Sequence, residues 1–347
     1  MGKKIVVIRD RTATKEQFDR FLFLKEEYGA DVVFVDDRLE YTNDEFTKMF
    51  LTMERQGPDA ICVNEDLRRE MKDADILVSL ISPIPTVAVN EAERLEAVCI
   101  LRSGVENINL ANARAKGIPV INAPGRLAVP VSEFAVGLML AEMRNIARSH
   151  VNIYKDHEFV HDFPNAANSN TIRGRKVGII GCGAVGKNVA KIVTAFGAKV
   201  LVYDPYMPEA AIEALGYVPM TLEELCREAD IISVHYRLTA ETENMINKAC
   251  FDNMKPSCFF INTARAGLVD ETALIEALET KKIAGAALDV FHHEPIPADH
   301  PFMKLDNVTL TGHLAGTCSD LFGLTFEIME RSLRQYFEEG TWDHLVK

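Results

Sequence analysis

Residues 181–186 read GCGAVG, and the types and spacing of these six suit the grip of a phosphate. Gly181 permits a tight turn, Gly183 lets backbone N–H groups approach a pyrophosphate, and Gly186 lets the next helix pack against a sheet. An apolar run precedes them at Val177–Ile180, and a helical pattern opening on Ala184 and Val185 follows. The start of such a helix offers unpaired N–H groups and the positive end of its dipole to an anion. A second apolar run, Val200–Tyr203, ends at Asp204, about 20 residues on, where a carboxylate suits the ribose hydroxyls of a dinucleotide. Glycines also make ordinary turns, but strand, turn, helix and acid agree here. Asp204 would repel the 2′-phosphate of NADP, and Pro205 and Tyr206 supply no compensating cation. The expected cofactor is therefore NAD.

Chemistry on a carbonyl or alcohol beside a nicotinamide needs a proton donor or acceptor and a group that orients the substrate. Three later segments can supply them: Arg265 in INTARAGLVD, Glu294 in ALDVFHHEP and His313 in LTGHLAGTC. They follow the apolar runs Cys258–Asn262, Ala284–Leu288 and Val308–Leu310 respectively. Ligands bind beyond the carboxyl ends of strands in open parallel sheets. Taken singly, a surface arginine, a loop acid and a structural histidine are equally good readings.

The elements that must hold these residues alternate strand and helix along the chain, which points to α/β architecture with parallel sheets. Strands are expected at Ile5–Ile8, Asp31–Val35, Ile76–Leu80, Val98–Leu101 and Pro119–Ile121, with helices over Lys15–Tyr28 and Asn43–Arg55. A long helix, apolar on nearly all sides, is expected from Pro130 to Arg148, buried between two domains. Ile231–Val234 adds a further strand, and a last helix over about 317–338 is expected to return to the first unit. At 347 residues the chain exceeds one ordinary core, so two domains follow: 1–122 completed by 318–347, and an inserted nucleotide-binding domain at 123–317. The net charge of −13 argues against nucleic acid and requires local cations for an anionic substrate. Seven scattered cysteines without a CxxC pair fit buried thiols in a reducing cytoplasm. The opening MGKKIVVIRD has no signal-peptide layout, and no apolar run approaches the roughly 20 residues that span a bilayer, so no membrane is expected. His157 and His161, at i and i+4 in the polar arm 150–175, lack a third ligand; no metal is expected, and a solvated arm or subunit contact is the better reading.

With these segments in view the chain resembles the D-2-hydroxyacid dehydrogenase family. The order of Arg265, Glu294 in a DVF…EP context and His313 before a small-residue turn is similar to that family's catalytic triad. SGVENINLANARAKGIPVINAPG (103–125) is similar to its glycine loop and its crossing into the nucleotide domain. The resemblance covers nearly the whole chain. It implies a Rossmann NAD-binding domain inserted into a flavodoxin-like substrate domain, both doubly wound, with the site in the cleft between them. It implies that Arg265 binds the substrate carboxylate, that His313 exchanges the proton at the carbonyl oxygen, and that Glu294 orients the His313 ring and favours its protonated form. Backbone N–H groups at Ser103, Gly104 and Val105 would help to hold the carboxylate. His235, Thr263, Asp289 and Gly316 are similar to positions on the cofactor side. His292, His293 and His300 have no such counterpart. Relatives pair through their nucleotide domains, so a homodimer is implied.

Two departures bear on specificity. Arg102 stands two residues before Gly104, where many relatives carry a small residue; it meets a second anionic group of the substrate or is a surface arginine. Arg237 in HYRLT (235–239) replaces a common proline and could contact the adenosine half or the pyrophosphate, permitting some use of NADP. The expected function is NAD-dependent interconversion of a small anionic 2-oxo acid and its D-2-hydroxy acid. The alternatives are a dehydrogenase of phosphorylated hydroxy acids, of the phosphoglycerate or erythronate-phosphate type, and a non-catalytic NAD(H)-sensing interaction protein.

Overall fold

Twelve strands form two wholly parallel sheets in a computed structural model that describes residues 2–168, 171–318 and 321–346. Two compact units result, one of residues 1–126 with 319–347, the other of residues 127–318.

In the first unit the strands are β1 (Lys4–Arg9), β2 (Asp31–Asp36), β3 (Ile76–Ser79), β4 (Ala97–Ile100) and β5 (Val120–Asn122), in the order β2-β1-β3-β4-β5. That is the flavodoxin-like order. β1, β3 and β4 read as continuous apolar runs because helices cover both faces of the sheet. The helical pattern over Lys15–Tyr28 is broken by a 3₁₀ segment at Arg20–Leu22. The tighter winding brings positions three apart onto one face, and Phe18 and Phe21 both meet Phe326, with ring centroids 5.3 and 5.5 Å away. Phe326 belongs to the helix Leu321–Glu339, so the last helix packs on the first sheet, and residues 344–346 lie along β5. Of the range expected for this helix, about 317–338, residues 319 and 320 lie outside the described residues.

In the second unit the strands are β6 (Lys176–Ile180), β7 (Lys199–Tyr203), β8 (Val218–Pro219), β9 (Ile231–Val234), β10 (Phe259–Asn262), β11 (Gly285–Leu288) and β12 (Val308–Leu310). Their order, β12-β11-β10-β9-β6-β7-β8, reverses direction between β6 and β9, the switch point of a Rossmann sheet. β8, only two residues long, carries no period that a sequence could display. The apolar helix starts at Ala128 and ends at Met143, short of the expected Arg148. Pro130 sits in its first turn, where a missing N–H costs little, and Asn145 takes a left-handed conformation (φ +56°) that separates it from a second helix at Ile146–Val151. Ala135, Val136, Leu138, Met139 and Met143 bury themselves against β6, β7 and β10 in the core of this unit. Among the described residues no helix is long and apolar enough to cross a membrane.

Candidate active site

The glycine turn follows β6 and its geometry explains each glycine in turn. Gly181 adopts φ +92°, and a Cβ there would stand 2.8 Å from the carbonyl oxygen of His235, at the end of β9. At Gly186 a Cβ would lie 1.9 Å from the Gly181 carbonyl oxygen, so the helix Ala184–Ala195 could not seat on the turn. Gly183 caps that helix and faces open space. Asp204 fixes the turn from β7: one carboxylate oxygen accepts from the Cys182 N–H at 2.8 Å, the other from the Tyr206 N–H at 3.0 Å. Each oxygen retains a lone pair for a ribose hydroxyl.

A cavity of about 480 Å³ in this unit is lined by Val185, His235, Tyr236, Arg237, Thr263 and Arg265, among others. Two polar atoms buried on its lining residues have no partner among the described residues, His235 Nε2 and Thr263 Oγ1. Burial pushes the His235 imidazole down to about 3, so the ring is neutral. Open space before Gly183, together with two unpartnered polar groups on one wall, fits a bound dinucleotide. Tyr236 stacks between Tyr203 and Tyr206, at centroid distances of 6.5 and 6.1 Å, an aromatic feature beside Asp204 that the sequence reading missed. Arg237 is exposed on the same cavity.

The candidate acid–base residues come from the ends of three neighbouring strands, β10, β11 and β12. After β10, the buried Asn262 accepts from the Ala264 N–H at 2.9 Å and donates to the Arg265 carbonyl at 3.0 Å, which fixes the turn that presents Arg265. The Arg265 guanidinium is exposed, with Nη1 donating to the Ala264 carbonyl at 2.7 Å. After β11, Glu294 accepts from the Phe291 N–H at 3.0 Å through Oε1 and meets His313 Nδ1 at 2.8 Å through Oε2. The bond to His313, followed by the Phe291 N–H and the charges of His313 and Arg265, holds the Glu294 carboxyl below its usual range. After β12, His313 itself adopts φ +57°, an uncommon conformation for a side chain with a Cβ.

Asp289 holds that turn in place. It is fully buried; Oδ1 accepts from Thr311 Oγ1 at 2.6 Å and from the Leu314 N–H at 2.9 Å, and Oδ2 accepts from the Ala315 N–H at 2.8 Å. Its carboxylate thus serves the residues that carry His313 and Gly316, whereas the sequence had suggested the cofactor side. Asn262 was missed altogether, although an Asn just before a short turn is a recognisable Asx-turn signal. His300 caps the segment Pro301–Lys304 and faces Glu271 at 3.4 Å, while His292 and His293 are exposed. Among the described residues no group of three potential ligands could hold a metal.

In the first unit, Ser103 is exposed and Gly104 and Val105 are half-buried. Arg102 is no surface residue: it is only 8% exposed, with Nη2 3.2 Å from Glu106.

Two doubly wound parallel units, one with a complete phosphate-binding turn and a Glu–His pair at its strand ends, define a dinucleotide-binding α/β protein of the oxidoreductase type. The sequence profile of the D-isomer specific 2-hydroxyacid dehydrogenase NAD binding domain matches residues 136–315, and the chain belongs to the D-2-hydroxyacid dehydrogenase family. It is 36% identical over 276 residues to the hydroxypyruvate reductase of Thermotoga maritima, covering 78% of this chain and 88% of that protein. It is 38% identical over 251 residues to the D-3-phosphoglycerate dehydrogenase of Methanocaldococcus jannaschii, covering 72% of this chain and 47% of that protein. The chain thus spans about half the length of the phosphoglycerate dehydrogenases it matches. Its fold is that of D-lactate dehydrogenase with NAD+ from Lactobacillus jensenii, with a TM-score of 0.72, 25% identity and 99% of each chain covered. The cofactor of the matched domain is NAD.

Proposed function

We propose that this protein interconverts a 2-oxo acid and a D-2-hydroxy acid. The observation that carries the proposal is the 2.8 Å Glu294–His313 contact at the strand ends, with the charge of Arg265 acting on the same carboxylate. Bound NAD(H) supplies or accepts the hydride at C2 of the substrate. Arg265 pairs with the substrate carboxylate through its planar fork. His313 gives a proton to the carbonyl oxygen, or removes it from the hydroxyl in the reverse direction. Glu294 receives the Nδ1 hydrogen of His313 and so orients Nε2 toward the reacting oxygen. Ser103, Gly104 and Val105 offer backbone donors suited to a carboxylate. The remaining lone pairs of Asp204 take the adenosine ribose hydroxyls and favour NADH over NADPH. His235, Arg237, Thr263 and Gly316 complete the cofactor wall.

A phosphorylated substrate is the second reading, favoured by the buried Arg102 and by the 38% identity to a phosphoglycerate dehydrogenase. A homodimer is supported by the arm, where Tyr154 and Phe159 are 77% and 79% exposed. Free thiols throughout fit a cytoplasmic setting. The test is the initial rate of NADH oxidation with glyoxylate, hydroxypyruvate, pyruvate, branched 2-oxo acids and phosphohydroxypyruvate. Turnover concentrated in one acid is expected. Negligible rates throughout, with tight NADH binding, would replace the enzyme reading by that of an NAD(H) sensor. Equal efficiency with NADPH would overturn the role of Asp204, and a monomer by light scattering would overturn the dimer.

A further inference from the structure

The first unit carries two arginines, one buried and one partly buried, each with a buried nitrogen that the roles above do not engage. Arg102 follows β4, and its guanidinium stacks 5.0 Å from the centre of the Phe50 ring. Nη2 lies 3.2 Å from Glu106 and 3.8 Å from Glu54, whereas Nη1 is buried without a partner among the described residues. Arg126 stands four residues beyond the end of β5 and likewise has a buried Nε without a partner among the described residues. The two strand ends are joined: the Ala123 N–H donates to the Arg102 carbonyl at 3.0 Å, Ser103 Oγ to the Ala123 carbonyl at 3.2 Å, and Asn122 Nδ2 to the Ser103 carbonyl at 2.7 Å. Burial, and then the positive charge of Arg102, lower the pKa of Arg126. Two guanidinium groups in each other's field, each with an unused buried donor, cost free energy unless an anion completes them.

Glu106 shows where such an anion goes. Its carboxylate lies against Gly104, where a Cβ would meet the two oxygens at 2.4 and 2.6 Å, and it is the nearer acid on Arg102. With its side chain 43% exposed, Glu106 can turn out to solvent without being stranded in the interior.

We propose that Arg102 and Arg126 form an oxyanion site for a phosphoryl or carboxylate group, and that Glu106 is an internal carboxylate which the incoming anion displaces. The anion arrives either as the second anionic group of the substrate or as free phosphate. The first of these sources rests on the 2-oxo acid activity proposed above; the site itself does not.

The direct test is calorimetric titration of the full chain with inorganic phosphate. The wild type is expected to bind phosphate saturably. Arg126→Gln should weaken that binding about tenfold, through loss of a charge-assisted partner. Glu106→Gln should tighten it several-fold by removing the internal competitor, a gain that misfolding cannot mimic. Absence of saturable binding in both wild type and Glu106→Gln, or equal binding by all three proteins, would overturn the site. Kinetics separate the sources. If the substrate carries the anion, Arg126→Gln raises KM for phosphohydroxypyruvate about tenfold more than for hydroxypyruvate. If free phosphate is the ligand, the two KM values move together while phosphate binding is lost. Phosphate binding that responds to both variants, without turnover of any 2-oxo acid, would leave the site standing and reject the activity.

Discussion

Asp289→Asn tests whether the acid–base turn is held from beneath. The side chain is nearly isosteric, so the perturbation is confined to charge and to one donor-for-acceptor exchange. Asp289 now accepts three hydrogen bonds from the segment 311–315, at 2.6, 2.9 and 2.8 Å. If the amide oxygen keeps Thr311 and Leu314, the new NH₂ faces the Ala315 N–H, and a charge-assisted bond gives way to two buried donors in contact. That exchange costs about 3 kcal/mol, from a bond worth about 1.5–3 and an unsatisfied donor worth about 1–3. The opposite orientation loses two bonds and is worse. The turn can relieve the cost by moving, and it is predisposed to move, because the left-handed backbone of His313 (φ +57°) is itself unfavourable by about 1 kcal/mol.

At about 1.4 kcal/mol per tenfold, a displaced His313 lowers kcat by about tenfold to a hundredfold. The assay is NADH oxidation with the preferred 2-oxo acid, alongside NADH affinity by fluorescence and exchange of the Ala315 amide hydrogen. The expected pattern is a reduced kcat, nearly unchanged NADH affinity and faster exchange at Ala315. A normal kcat at saturating NADH with weakened NADH binding would refute the clamp and return Asp289 to the cofactor.

Three further outcomes follow from the same geometry. Arg265→Lys keeps the charge but loses the fork, and should raise KM for the 2-oxo acid by about 30-fold, or ~2 kcal/mol, at constant NADH affinity; an unchanged KM would remove Arg265 from the carboxylate. The Glu294 pKa is lowered from 4.5, chiefly by its hydrogen bond to His313, so the carboxylate is ionised above that value and is lost only as pH falls through the depressed one. The pH–rate profile should therefore show no Glu294 limb above about pH 5, and Glu294→Gln should reduce kcat/KM about a hundredfold at neutral pH; a limb near pH 6 that vanishes in the variant would contradict this. His235 falls from 6.5 to about 3 in the fold, so it stabilises the folded state least in acid: protonation favours the unfolded chain below pH 6.5, by about 1.4 kcal/mol per pH unit. The thermal midpoint of the wild type should decline more steeply between pH 6.5 and 4.5 than that of His235→Asn, and parallel declines would show that His235 is not buried neutral.

What the sequence displayed of this site is what local chain geometry controls. The phosphate turn was legible because every requirement on it lies within one strand–turn–helix unit, and Asp204 because the following strand has a predictable length. Arg265, Glu294 and His313 were legible as residues beyond apolar runs. The hydrogen bonds of Asp289 were hidden for a physical reason: its partners lie 22 to 26 residues downstream, and only the pairing of β11 with β12 brings them together. The burial of Arg102 was equally hidden, since a strand-end arginine reads the same whether solvent or Phe50 lies beside it. The break at Asn145 was obscured because nothing in MRNIARSH marks a left-handed residue strongly enough to stop a helical pattern.

Satisfaction of buried polar groups separates the machinery that precedes ligand binding from the surfaces that await it. Asn262 and Asp289, which set the backbone around Arg265 and His313, have their hydrogen bonds complete within the chain. Among the described residues His235 Nε2 and Thr263 Oγ1, by contrast, are buried and unpartnered, as are Arg102 Nη1 and Arg126 Nε in the first unit. A buried donor or acceptor left open costs about 1–3 kcal/mol, so such a group calls for a partner from outside the chain, whether water or a ligand. Groups that orient the reacting residues must be rigid before substrate arrives, because reorganisation would add to the barrier. Groups that recognise a ligand can remain open, since closing them is part of the binding free energy. On this criterion the turn that carries His313 is preorganised, whereas the proposed contacts to the dinucleotide and to an oxyanion fall on the open groups.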